Sequence, residues 1–282
     1  MNLAFKIITP FLFAGFLLVG CNNKKREFKS PAGYNLNEPE KFTINDQLRE
    51  ISGIAFLEGN ENTAIAIEDE KGKLYSFAVG SSQIHAAKFG KKGDYEDVSI
   101  WKDTTVAVLK SNGAIILFAA NTIQKDTIDG VQEFNNILPE GEYEGLSTDG
   151  EKLVVLCKSC PSDKGKKEVS VYLLEKSNNN LLVTNQFKID ITPTNATESS
   201  KEKFHPSCIA KNPIRKEWYI ISSVNKLLLI VDANWKVKDY FLLDPALFKQ
   251  PEGITFNNKG DLYITNEGGD GKATILLYKL QK

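Results

Sequence analysis

Little in this sequence serves the commonest kinds of catalysis. His85 and His205 are the only histidines in 282 residues, so groups that trade protons near neutral pH are scarce. No Gly-x-Ser-x-Gly elbow, glycine-rich phosphate loop or His-Glu-x-x-His pair occurs. That removes the signatures of serine hydrolases, nucleotide hydrolases and zinc peptidases. An excess of one charge is missing as well, because 35 basic and 36 acidic residues leave a formal charge of −1. Without a global basic field, nucleic acid is not an expected partner. No apolar run reaches the roughly 20 residues that a membrane-crossing helix needs. Of four cysteines only Cys157 and Cys160 are close in sequence, and no second such pair or histidine pair completes a four-ligand zinc site. A redox-active pair belongs at a helix N-terminus, whereas these follow a strand-like run and precede Pro161. A structural or incidental pair is the expectation. Cys208 reads as a small buried apolar residue.

The N-terminus is the first positive feature. After the single charge of Lys6, Ile7–Val19 is almost wholly apolar, with the length of the apolar core of a secretory signal. It ends in Leu18-Val19-Gly20-Cys21, which resembles the lipobox of bacterial lipoproteins. The resemblance implies cleavage before Cys21 and attachment of acyl chains such as palmitate to that residue. Each buried CH2 contributes about 0.8 kcal/mol, so several chains hold a protein firmly at a membrane. Residues 22–35 are polar and charged, as a flexible link is. The expected division is a signal peptide over 1–20, a lipid-anchored tether over 21–39 and one domain over 40–282. The residues after Cys21 lack an acidic cluster, so the cell envelope is expected, at an outer membrane and facing the periplasm.

Self-comparison organises the rest. ISGIAF from Ile51, YEDVSI from Tyr95, YEGLST from Tyr143, PSCIAK from Pro206 and PEGITF from Pro251 share one pattern. Their starts are about 45 residues apart, except for a longer third step, which is a repeat length typical of propeller blades. Each segment opens a series of β-branched, alternating runs separated by polar or glycine-containing turns. About four strands per repeat is the blade signature. The last unit has only three strands, while Glu40–Asp46 supplies an unassigned one ahead of the first unit. The expected fold is therefore all-β: a single β-propeller of five four-stranded blades, closed by the N-terminal strand pairing with the last blade. A β-sandwich does not explain the recurrence. The excess of the third unit is expected in Ile191–Phe204, a polar surface loop, more simply a tolerated insertion than a binding loop.

Aligning the repeats places Ser52, Glu96, Glu144, Ser207 and Glu252 in one column. In a propeller the first strand of each blade lines the central channel, so the three glutamates converge near one axis. Asp94, Glu50 and Glu142 precede that column by two residues and fall at the rim. Glu68-Asp69-Glu70 and Asn266-Glu267 follow second strands and can add oxygens, although solvated turns are the simpler reading.

The ordered series ISGIAF, IEDEKGKLYSF, DYEDVSI, YEGLSTDGEKLVV, HPSCIA, YIISSVNKLLLIVD and PEGITFNNKGDLYITNEG resembles the SdiA-regulated family of bacterial proteins, over about Phe42 to Leu280. The resemblance implies a five-bladed propeller, distantly like NHL-repeat propellers, with a bound calcium ion and no known reaction. Carboxylates crowded together repel, and a hard cation accepting six to eight oxygens relieves this. Glu96, Glu144 and Glu252 are thus the expected calcium ligands, with Glu50 a weaker candidate. Ser52 and Ser207 stand where the family pattern has acids, which offsets the ion toward the other three blades.

Two functions remain open at this level. One is a membrane-anchored, calcium-binding recognition or scaffold module, a monomer holding a protein, glycan or small-molecule ligand at one face. The other is a calcium-dependent hydrolase of lactones or phosphate esters, where the metal polarises substrate or activates water. The inventory favours the first. His85 lies in an outer-strand run, and His205, at the channel mouth, is expected to bond a neighbouring blade. Arg49 and Lys110 are the basic residues expected near the acids.

Overall fold

A computed structural model describes residues 27–57, 62–165, 167–192 and 204–281. The expected signal peptide over 1–20, Cys21 and most of the expected loop over Ile191–Phe204 lie outside the described residues.

The first strand, β1 (Glu40–Thr43), stands apart from the four that follow. Those are β2 (Ile51–Phe56), β3 (Ala64–Glu68), β4 (Lys73–Phe77) and β5 (His85–Lys88), which form the first blade in sequence order. The second blade is β6 (Tyr95–Trp101), β7 (Thr105–Lys110), β8 (Ile115–Ala119) and β9 (Gln132–Phe134). The third is β10 (Glu142–Asp149), β11 (Lys152–Ser159), β12 (Glu168–Ser177) and β13 (Asn180–Asp190). The fourth is β14 (Cys208–Lys211), β15 (Trp218–Ser222), β16 (Leu227–Val231) and β17 (Val237–Leu242). The last holds β18 (Pro251–Phe256), β19 (Leu262–Asn266) and β20 (Thr274–Tyr278), and β1 completes it, Glu40 opposite Leu277 and Thr43 opposite Thr274. All ladders are antiparallel. Neighbouring inner strands touch around the ring, and β18 returns to β2. The five-bladed ring and its closure by the N-terminal strand are as the repeat implied.

Packing explains why the middle strands read as unbroken apolar runs. A blade buries both faces, each against a neighbour, so alternation disappears and β15 and β16 are buried throughout. The core is accordingly five clusters, one per seam. In the seam between the third and fourth blades, Trp218 stacks on Trp235 with centroids 5.0 Å apart. Inner strands approach closely at the ring's centre. A Cβ on Gly53 would lie 2.5 Å from Asp97 Oδ1 and 2.6 Å from Val98 N, so that position admits only glycine without rearrangement.

Two expectations need correction. The segment expected to be a tether over 21–39 is folded over much of its described part. Tyr34 and Leu36 are buried in the seam between the fourth and last blades. The Tyr34 hydroxyl donates to Gly260 O at 2.6 Å and accepts from Asn212 Nδ2 at 2.9 Å. The sequence read as a link because its few apolar residues are diluted by polar ones, yet two suffice to fill a seam. The excess of the third unit is likewise not confined to Ile191–Phe204, since β12 and β13 have 10 and 11 residues. A long outer hairpin takes up part of it.

Candidate metal centre

In every blade but the fourth, the ladder between the first two strands slips at the column residue. Tyr95 faces Lys110 and Asp97 faces Leu109, which leaves Glu96 without a partner. Tyr143 faces Cys157 and Gly145 faces Leu156, leaving Glu144. Pro251 faces Asn266 and Gly253 faces Thr265, leaving Glu252. In the first blade the slip takes in Ser52 and Gly53. A bulge breaks the two-face alternation and re-aims the extra side chain. Here it aims the column along the channel.

Ser52, Glu96, Glu144, Ser207 and Glu252 all line one cavity of about 220 Å³. A second column meets them there. Asp69, Ser111, Ser223 and Glu267 directly follow the second strands of their blades, and Lys158 is the last residue but one of β11. Four of these line the cavity, and the Ser111 hydroxyl bonds Glu96. Asp94 and His205 complete the chemically active wall. Six carboxylates thus share a small space with one lysine.

The carboxyls hold their protons unusually tightly as a result. Burial, then the charges of Glu144 and Asp94, pushes Glu96 up to about 8. Burial raises Glu144 to about 7 against the opposing pull of Lys158, with which it forms an ion pair. Glu267 is raised to about 7 by burial and by Glu252, Asp69, Glu50 and Glu96. Asp69 is raised to about 6 by burial and the charges of Glu50, Glu68 and Glu70. Glu252 is raised by burial, although hydrogen bonds from Ser223 and Ser207 oppose this.

The four expected ligands do not behave alike. Glu96, Glu144 and Glu252 share the cavity, but they form no trio with oxygens within 4.8 Å of one another. Glu50 is exposed and does not line the cavity; its carboxyl lies within 4.8 Å of those of Glu68 and Asp69 at the rim. Asp69 and Glu267, which the simpler reading made solvated turn residues, belong to the wall. Their signal was present in the sequence as a second column, visible once the slip beside the first is known. The donor set fits a hard cation. It is all oxygen on the acidic side, and the buried Asp69 Oδ1 has no hydrogen-bond partner.

The basic residues differ from expectation. Arg49 donates to Gly269 O at 2.9 Å, and Lys110 pairs with Glu133 at 3.1 Å; neither lines the cavity. Lys158 takes that role, from between the disulfide-bonded Cys157 and Cys160. Cys208 is buried and free. His205 lines the cavity, and its Nδ1 lies 3.3 Å from Lys158 O in the preceding blade, the interblade bond expected of it. His85 is on the outer strand β5.

No curated protein matches the chain in sequence. A luciferin-regenerating enzyme superposes with a TM-score of 0.52 at 10% identity, over 86% of this chain and 95% of that one. A catalytically inactive virginiamycin B lyase from Staphylococcus aureus, solved with quinupristin, gives 0.50 at 13% identity, over 86% and 89%. At such identity the likeness is one of fold. The model of the SdiA-regulated family matches residues 31–269, nearly the whole described ring, and the chain therefore belongs to the SdiA-regulated family of β-propellers.

Proposed function

We propose that the protein is a membrane-anchored, calcium-binding propeller that serves as a recognition or scaffold module through the acid-lined mouth of its ring. The observation that carries this is the gathering of six carboxylates and one lysine in a cavity of about 220 Å³. Burial and mutual repulsion raise the acids' hold on their protons, and the buried Asp69 Oδ1 has no hydrogen-bond partner among the described residues. Asp69, Glu267, Glu252 and Glu96 would hold the ion partly through water, since no three of them bring oxygens within 4.8 Å of one another. Glu144, paired with Lys158, is a secondary ligand, and Glu50 acts from the rim. Bound calcium would supply positive charge and open coordination positions for oxygen ligands. A protein, glycan or small molecule presenting such oxygens is the class of ligand this mouth suits. The lipobox-like Leu18–Cys21 supports anchoring at the cell envelope, with the outer membrane facing the periplasm as the expected place.

One observation favours the second reading, a calcium-dependent hydrolase. Carboxyls raised to about 7 and 8 stand beside His205 in the same cavity, and groups poised near neutrality can exchange protons with a substrate. Against this, Glu144 is tied to Lys158 and His205 approaches the Lys158 carbonyl. The test is a calcium titration of the thermal melt, followed by turnover assays with lactones, phosphate esters and sugar esters. Stabilisation without turnover supports the module. Turnover that Glu96→Gln abolishes while the melt is preserved supports the hydrolase, and a melt indifferent to calcium and chelator overturns both.

A further inference from the structure

Among the described residues lining the cavity, Lys158 is the only basic side chain apart from His205. It forms an ion pair with Glu144 across the β10–β11 ladder. Its attraction is also felt by Glu96 and Glu252. On the opposite side the strongest charges acting on Asp69 are those of Glu50, Glu68 and Glu70, and on Glu267 those of Glu252, Asp69, Glu50 and Glu96. Among the described lining residues the lysine therefore stands on the Glu144 side; on the other side Lys71 and Arg49 are tied to Glu68 and to Gly269 O, outside the lining.

The main chain at Lys158 is held from three directions. Cys157, within β11, pairs opposite Tyr143 and is buried. Cys160, past the end of the strand, is buried and closes a disulfide back to Cys157. The carbonyl between them lies 3.3 Å from His205 Nδ1 of the next blade. A disulfide spanning so short a loop restricts the unfolded chain less than a long-range one does. Its larger effect is local, because it fixes the residues it encloses, and Lys158 is one of two.

We infer that Lys158 is the specificity-determining residue of the mouth, a built-in cation held among the carboxylates by the Cys157–Cys160 disulfide that encloses it, so that one divalent ion is accepted and only on the Asp69–Glu267 side. The inference rests on the calcium reading. Coulomb repulsion between the ammonium and a divalent ion in a poorly screened cavity keeps the second position closed. Opening the disulfide lets the lysine leave and exposes the Glu144 side to metal. A small dithiol can do this, its two thiols becoming a disulfide as Cys157 and Cys160 take up two electrons and two protons. Cys160 borders an open groove of about 590 Å³ shared with Glu142 and Lys164, which gives such a reagent an approach.

Two measurements on the full mature chain test this. The first needs no metal: acylation of Lys158 by a small amine-reactive reagent, followed by peptide mass spectrometry. The oxidised protein should react several-fold more slowly at Lys158 than after dithiol treatment, and equal rates overturn the disulfide's role. The second is calorimetric titration with calcium. The wild type should bind one ion, Lys158→Arg should do the same, and Lys158→Met should bind a second ion or bind the first at least tenfold more tightly. Dithiol should shift the wild type in the same direction and leave Lys158→Met unchanged. Identical binding by wild type and Lys158→Met, with both folded by their melts, overturns the inference. A dithiol effect of full size in Lys158→Met overturns it as well. If no form binds calcium, the ion-selecting role falls with the calcium reading, while the acylation rates still decide whether the disulfide holds the lysine.

Discussion

The Asp97 carboxylate accepts the N–H of Leu146, in the neighbouring blade, at 2.7 Å, and the N–H of its own neighbour Val98 at 2.8 Å. Only 3% exposed, it ties the second blade to the third while Gly53 of the first lies against it. Burial raises its proton affinity well above the ordinary range, although both N–H bonds oppose this. Asp97→Ala leaves two buried donors without acceptors, and each such group costs about 1–3 kcal/mol. The expected loss is in the range of those penalties, read as a lower denaturant midpoint. Asp97→Asn, which keeps the shape and one acceptor, should lose less. A midpoint equal to wild type in Asp97→Ala would remove this tie from the account.

The pH dependence of stability follows from the cavity. Glu96, Glu144, Glu267 and Asp69 hold protons more tightly folded than unfolded, with values of about 8, 7, 7 and 6. Between the ordinary carboxylate range and those values the folded state carries more protons, so unfolding becomes easier as pH rises. The melting temperature of the calcium-free domain should fall from about pH 4.5 to about pH 8 and then level off so far as these groups are concerned. Calcium bound as proposed would require the ionised forms, and it should then raise the melt more at pH 8 than at pH 5. A calcium-free melt that rises across this window contradicts the assignment.

Individual ligands are separable by substitution. A ligand that binds only the folded state adds RT ln(1 + [L]/Kd), about 2.7 kcal/mol at a hundredfold excess. Asp69→Asn, Glu267→Gln and Glu252→Gln should each remove much of the calcium-dependent rise in melting temperature. Glu50→Gln, at the rim, should remove little. The reverse order would move the ion outward, onto the Glu50, Glu68 and Asp69 group.

The N-terminal segment is expected to matter for folding. Tyr34→Ala empties part of a seam and abolishes two hydrogen bonds, and losses of about 3–5 kcal/mol are usual for buried aromatics. Deleting residues 22–27 should leave the melt unchanged, whereas deleting 22–46 should abolish cooperative unfolding, because it removes Tyr34, Leu36 and β1 together. A cooperative melt after the longer deletion would show that the seam strand is dispensable.

Anchoring is tested apart from the ring. Cys21→Ser should abolish incorporation of labelled palmitate and release the protein from membrane fractions. Labelling that persists in the variant would put the acyl chains elsewhere.

The sequence carried the blade count and the closing strand because both depend on repetition, and five copies of one pattern average out local ambiguity. Glu96, Glu144 and Glu252 were legible for the same reason. Lys158 was not. Its position belongs to a column of Asp69, Ser111, Lys158, Ser223 and Glu267, two acids, two serines and a single lysine, so no one residue type marks it. Tyr34 and Leu36 were missed because they belong to no repeat, and a polar stretch hides two side chains that fill a seam. The division of the third unit's extra length between loop and hairpin was equally invisible, since strand runs can lengthen without altering their period.

Pairing Glu40 with Leu277 gives the ring a timetable. Of the ring's strands the ribosome makes β1 first and its partner β20 last, so the seam stays open until β20 emerges. Until then the last blade lacks two strands and the ends of the arc expose unpaired edges, which are templates for association with other chains. Contacts so distant in sequence also form slowly. A prematurely terminated product therefore cannot mimic the finished molecule: missing only β20, it loses the ladders on both sides of that strand and leaves β1 with nothing to join. The circle acts as a proofreading step, in which completeness of the ring is read by whether its first and last strands can meet.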